Sequence, residues 1–135
     1  MDQHSRKVFG YVIDKDIQVN IIQNRVININ HLNQKDNHAV VTLRKTMMRL
    51  FIYLLENANS KVIQHEDILL NVWDRHGLSS STQRLWQVMH CLQNKLSLLG
   101  ITDDLITRIE SGPVRGYRLC KNKITTVYYY EQKNL

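Results

Sequence analysis

The chain has 135 residues, 43% of them hydrophobic and 22% charged. That is one domain of the common size, with the composition of a globular protein that can bury its own core, which excludes wholesale disorder. Its longest unbroken apolar run, residues 50–55, is far short of the roughly 18 residues a membrane span needs. Eighteen basic against twelve acidic residues leave a formal net charge of +6, a balance that suits a polyanionic partner, either nucleic acid or an acidic membrane surface.

The first forty-odd residues read as strands. Residues 10–13 are short and apolar, and Asp14-Lys15-Asp16 breaks them. Residues 17–21 alternate apolar and polar, Asn24 and Arg25 mark a turn, and residues 26–30 are β-rich again. Residues 33–37 form a polar connector and residues 39–43 a fourth strand, so a small antiparallel sheet is expected over about residues 8–43.

The period then changes. Met47, Leu50, Phe51, Leu54 and Leu55 fall at helical spacing, which predicts an amphipathic helix over residues 45–57. Val62-Ile63 is a brief extended pair. A second helix is expected over about residues 65–75, with Ile68, Leu69, Val72 and Trp73 inward, Glu66 and Asp67 in its first turn, and His76-Gly77 at its end. A connector rich in N-capping side chains, residues 78–82, leads to a third helix over about residues 81–98. Leu85, Met89, Leu92 and Leu96 give that helix a narrow apolar stripe, Val88 and Leu99 widen it, and Gly100 stops it. A hairpin follows: a strand over 105–110, a turn over 111–115 carrying the only proline, and a return strand over 116–120. Residues 122–135 are set apart as a tail after a domain of residues 1–121. A β-rich stretch in that tail, Thr126-Val127-Tyr128-Tyr129-Tyr130, suits an edge strand or a partner surface.

The order is sheet, helix, helix, helix, hairpin. Two helices joined by a short turn make a helix-turn-helix, and the hairpin after the third makes the wing of a winged helix. The expected fold class is therefore α+β: a winged helix-turn-helix with an N-terminal antiparallel sheet. With the apolar stripe of the third helix turned to the core, its opposite face carries Gln83, Gln87, His90 and Asn94, flanked by Arg84, Trp86 and Lys95. No acid occurs between Asp74 and Asp103, so this face can lie against phosphates without repulsion. Amide side chains donate and accept in pairs, as adenine edges require, whereas arginine suits guanine or phosphate. A purely solvated helix face would more usually mix glutamate and lysine. The hairpin adds Arg115, expected to project from its tip, and Arg108, which strand alternation leaves on either face.

These segments carry a family resemblance. Residues 43–57 resemble the first helix of the OmpR/PhoB-type winged-helix domain, and residues 62–73 its second helix, including its tryptophan. Residues 85–96 have the family's recognition-helix spacing, and Arg115-Gly116-Tyr117-Arg118-Leu119 is similar to its closing wing signature. The early start of the sheet and the short arginine-glycine-tyrosine ending are nearest to the ToxR/CadC-like branch of one-component regulators. The sequence departs from the family pattern at Met47, often glutamate there, and at Gln93, often arginine. The resemblance implies a transcriptional regulator that binds double-stranded promoter DNA as a homodimer or in tandem copies, with RNA polymerase as a further candidate partner. DNA contacts are expected at Gln83, Arg84, Gln87, His90, Asn94, Arg108 and Arg115. The alternative is a winged helix that binds a protein through the third-helix face, Trp86 and the tyrosine stretch.

An enzyme is not expected. His65-Glu66 begins a zinc-protease-like pair, but Leu69 stands where the second histidine would be. There is no phosphate-cradling glycine loop, and the six histidines share no ligand spacing with either cysteine, so no cofactor or metal is expected. Met1-Asp2-Gln3-His4-Ser5-Arg6 leads into no apolar signal core, and Cys91 and Cys120 are too few for a disulfide framework. A cytoplasmic setting is expected, on a soluble protein or on the cytoplasmic part of a membrane-anchored one, with both cysteines as small buried residues.

Overall fold

A computed structural model describes residues 4–35 and 38–132. The alternating segments near the N-terminus form β1 (His4–Ile13), β2 (Ile17–Asn20), β3 (Arg25–Asn28) and β4 (Val40–Thr42). Tight turns join the first three, with Asp14 (φ 58°) and Asn24 (φ 54°) in the left-handed region that short polar side chains tolerate. One face of this sheet is buried through Tyr11, Ile13, Ile17, Val19, Val26 and Val41. Of the expected polar connector, Asp36 and Asn37 lie outside the described residues.

The tail contributes a strand. β8 (Ile124–Gln132) pairs antiparallel with β1 from Ile13↔Ile124 out to His4↔Gln132, making a five-stranded sheet of order β4-β3-β2-β1-β8. β1 is longer than the four residues its apolar run suggests because β8 gives residues 4–8 a partner. The Tyr128-Tyr129-Tyr130 stretch is thus part of an edge strand.

α1 (Lys45–Glu56) buries Met47, Met48, Leu50, Phe51, Leu54 and Leu55, the face its periodicity marks. β5 (Ile63–Gln64) follows and runs into the second helix, which is not the regular helix expected. Only α2 (His65–Ile68) is α-helical; a π turn covers Leu69–Trp73 and a 3-10 turn Asp74–His76. Val72 and Trp73 lie in the core as a regular helix would also place them, at 0% and 1% exposure, while Leu69 is only partly buried. The Arg49 guanidinium donates to the Val72 carbonyl at 3.3 Å, and the Asn71 amide donates to the Asp67 carbonyl at 2.7 Å, so side chains help satisfy this stretch of backbone. Gly77 (φ 70°) ends it in the left-handed conformation.

α3 (Thr82–Leu98) starts on Ser81, whose hydroxyl accepts from the Arg84 N–H at 3.0 Å. It ends on Gly100 (φ 84°): the Ile101 N–H donates back to Leu96 and the Gly100 N–H to Ser97, satisfying two carbonyls of the last turn. The buried Asn28 amide donates to the Leu99 carbonyl at 2.7 Å, tying the sheet to this helix end. β6 (Ile106–Ser111) and β7 (Val114–Leu119) form the hairpin, and β7 pairs with β5 to give a second sheet of order β5-β7-β6. The core joins the first sheet to the three helical segments and to the base of the hairpin through Leu105, Ile106, Tyr117 and Leu119. No helix among the described residues is long and apolar enough to cross a membrane.

Candidate nucleic-acid interface

α3 is positioned by its own stripe. Leu85, Met89, Leu92 and Leu96 are all buried at 2% exposure or less, so the helix cannot roll without losing core contacts. With that face fixed, Gln83, Arg84, Gln87, His90 and Asn94 are all exposed. Gln83, Gln87, His90 and Asn94 sit at i, i+4, i+7 and i+11, one outward line opposite the stripe. The helix itself contains no carboxylate.

Its two flanks differ. Gln93 and Trp86 lie on the side toward the hairpin. Gln93 is half-buried and its amide donates to the Ile106 carbonyl at 3.2 Å, clamping α3 to β6. Its place as a family departure is therefore filled by a structural contact. Lys95, on the other flank, donates to the Thr42 carbonyl at 2.9 Å and is turned toward β4. Cys91 is exposed on α3 and Cys120 is half-buried beyond β7. The expectation that both are buried is corrected: Cys91 lies off the inward stripe of α3, and Cys120 follows the end of β7 and is only half-buried.

The hairpin has a two-residue turn, Gly112-Pro113, between the paired Ser111 and Val114. Gly112 (φ 61°) stands where such a turn needs a positive φ. Arg115 is therefore not at the tip, as expected from a five-residue turn. It is exposed within β7, directly opposite Glu110. Arg108 in β6 is exposed, and its guanidinium lies over the Trp86 indole at 4.3 Å and pairs with the Glu110 carboxylate. Alternation put Arg108 on either face; the structure puts it on the face turned toward α3. Between α3 and the hairpin is an open cleft of about 420 Å³ whose walls include Trp86, Met89, His90, Arg108 and Tyr117.

Behind that cleft, His65 is 8% exposed and stacks on Tyr117 with ring centroids 5.4 Å apart. Its Nε2 has no hydrogen-bond partner among the described residues. Burial, reinforced by the Arg108 and Arg115 guanidinium groups, holds its pKa below the usual 6.5, so the ring is neutral in the fold near neutral pH. The Trp86–Arg108–Glu110 contact escaped the sequence reading, although the two-residue spacing of Arg108 and Glu110 already places both on one strand face. No group of three or more metal-ligating side chains exists among the described residues.

No protein-family model matches the chain, and no curated protein matches it by sequence. Among solved structures it is similar to the DNA-binding domain of E. coli CadC, with 18% identity and a TM-score of 0.63 over 93% of this chain and 100% of that one. The shared architecture is a winged helix-turn-helix, in which β6–β7 is the hairpin wing that follows α3.

Proposed function

We propose that the protein is a sequence-specific, double-stranded DNA-binding transcriptional regulator, with α3 in the major groove and the hairpin on the adjacent backbone or minor groove. The observation that carries this is the outward line of α3. Four side chains able to donate and accept toward base edges are exposed together on a rigidly held, carboxylate-free helix, beside a hairpin bearing Arg108 and Arg115. In this role Gln83, Gln87, His90 and Asn94 face base edges, and Arg84, Arg108 and Arg115 meet phosphates. The similarity to a domain named for DNA binding agrees with this role. Binding as a homodimer or in tandem copies, at promoters and in contact with RNA polymerase, extends the same proposal.

The protein-binding alternative is less favoured. It needs Trp86 as an aromatic anchor, but Arg108 lies over the indole, and a partner would have to share the 45% of Trp86 that stays exposed. Gel shifts with duplex DNA at two salt concentrations separate the two, because phosphate binding falls steeply with salt and aromatic docking does not. Gln83→Ala and Gln87→Ala are expected to relax sequence preference, each by roughly 1–3 kcal/mol if bidentate. Arg115→Ala is expected to weaken binding to all sequences and to flatten the salt dependence. Parental affinity in all three variants sinks the assignment.

A further inference from the structure

The hairpin carries one charge that opposes a phosphate. Glu110 is the only carboxylate between Asp104 and Glu131. It pairs with Arg108, two residues before it on β6, and stands directly opposite Arg115 on β7. Residues two apart on a strand share a face with those directly opposite, so Arg108, Glu110, Arg115 and Tyr117 form one row. Tyr117 is a wall of the cleft beside α3, which fixes the direction in which the row looks. The Arg108 guanidinium lies over the Trp86 indole, 4.3 Å from its centroid, and at the same time meets an acceptor, the Glu110 carboxylate. A guanidinium edge accommodates a carboxylate and a phosphate in the same way.

We propose that Glu110 is an internal stand-in for a DNA phosphate: it occupies Arg108 in the free protein, yields it to a backbone phosphate in the complex, and so sets how tightly the domain grips any duplex. The inference rests on the duplex-binding role proposed above. The exchange requires no movement of Arg108, which the indole already positions. The side chains of Arg108 and Glu110 are 44% and 55% exposed, so the pair they form is held weakly, by about a fivefold preference at most. A backbone phosphate, backed by release of condensed counterions, outcompetes it. The Glu110 side chain is 55% exposed, so the displaced carboxylate turns to solvent while Arg115, across the ladder, stays on the phosphates.

The test is a double-mutant cycle on duplex affinity, using a duplex of arbitrary sequence and measured across a salt series with the whole chain. Glu110→Gln is expected to bind about fivefold more tightly at low salt, with a slope of log K against log salt steeper by up to about one. Arg108→Ala is expected to abolish that gain, so that Arg108→Ala and the double variant bind alike. Glu131→Gln removes the same charge from a site paired with Lys7 on the other sheet, and is expected to leave affinity unchanged. Equal or weaker binding by Glu110→Gln overturns the proposal, as does a gain that persists without Arg108 or appears equally in Glu131→Gln. If the parental chain binds duplex with a normal salt slope while Glu110→Gln gains nothing, only this proposal falls. If no form binds duplex at low salt, the duplex-binding role fails and takes the proposal with it.

Discussion

Replacing Gly116 with alanine tests how the hairpin is fastened to the helical core. Gly116 pairs with Gln64 of β5 on one side and Ile109 of β6 on the other. A Cβ at this position would stand 2.1 Å from the Ile63 carbonyl oxygen, 2.8 Å from its carbon and 2.7 Å from Cγ1 of Val62. Close carbon–oxygen approaches between strands ordinarily lie at about 3.3–3.6 Å, so β5 must retreat by more than about 1 Å. The obstacle is backbone, and β5 has only two residues with which to absorb the shift. Overpacking costs typically 1–3 kcal/mol, and a backbone obstacle puts Gly116→Ala at about 3 kcal/mol or more. At about 4 °C per kcal/mol for a domain this size, thermal unfolding followed by circular dichroism should show Tm falling by about 12 °C. Gly112→Ala is the control. Among the described residues nothing lies within 4 Å of its added carbon, so only the positive φ is strained, at about 1–2 kcal/mol. A Gly116→Ala chain melting within about 2 °C of the parent, or a larger loss at Gly112 than at Gly116, refutes the reasoning.

Two further outcomes follow from the core. Trp73→Ala deletes a side chain that is 1% exposed and should cost roughly 3–5 kcal/mol in chemical unfolding; an unchanged midpoint would place Trp73 outside the core. His65 gives a pH dependence of definite sign. Its native pKa lies below the unfolded value of about 6.5, so the unfolded chain takes up the proton first. The stabilisation is complete above about pH 6.5 and is lost as the pH falls from there through the lower native value. Urea unfolding at a series of pH values should show this loss in the parent and a shallower one in His65→Phe; parallel curves would contradict it.

The parts of the fold that were legible in the sequence are those where local chemistry and burial agree. α1 and α3 announce themselves by apolar residues at helical spacing, and the α3 limits are marked by Ser81 and Gly100, which do the capping. The exposed line of Gln83, Gln87, His90 and Asn94 follows directly once the stripe is fixed. The π turn at Leu69–Trp73 leaves no such trace, because one extra residue in a turn barely alters a short apolar pattern. β8 owes its place to β1 at the far end of the chain, a pairing that no local window contains. Ser111-Gly112-Pro113-Val114-Arg115 reads as one long turn with Arg115 near its tip, whereas Gly112 alone supplies the positive φ that closes the hairpin in two residues and leaves Arg115 inside β7. The acid-free stretch from Asp74 to Asp103 is a property of the chain, and it carries no sign that the wing folds Glu110 across the cleft from α3.

Amide chemical-shift mapping during titration with a duplex tests the central claim most directly. The account predicts perturbations concentrated at Gln83, Gln87, His90 and Asn94 on α3 and at Arg108 and Arg115 on the hairpin, fading as salt rises. Shifts centred instead on the β1–β8 end of the first sheet, around Phe9 and Tyr129, or a duplex that perturbs nothing at low salt, would contradict it.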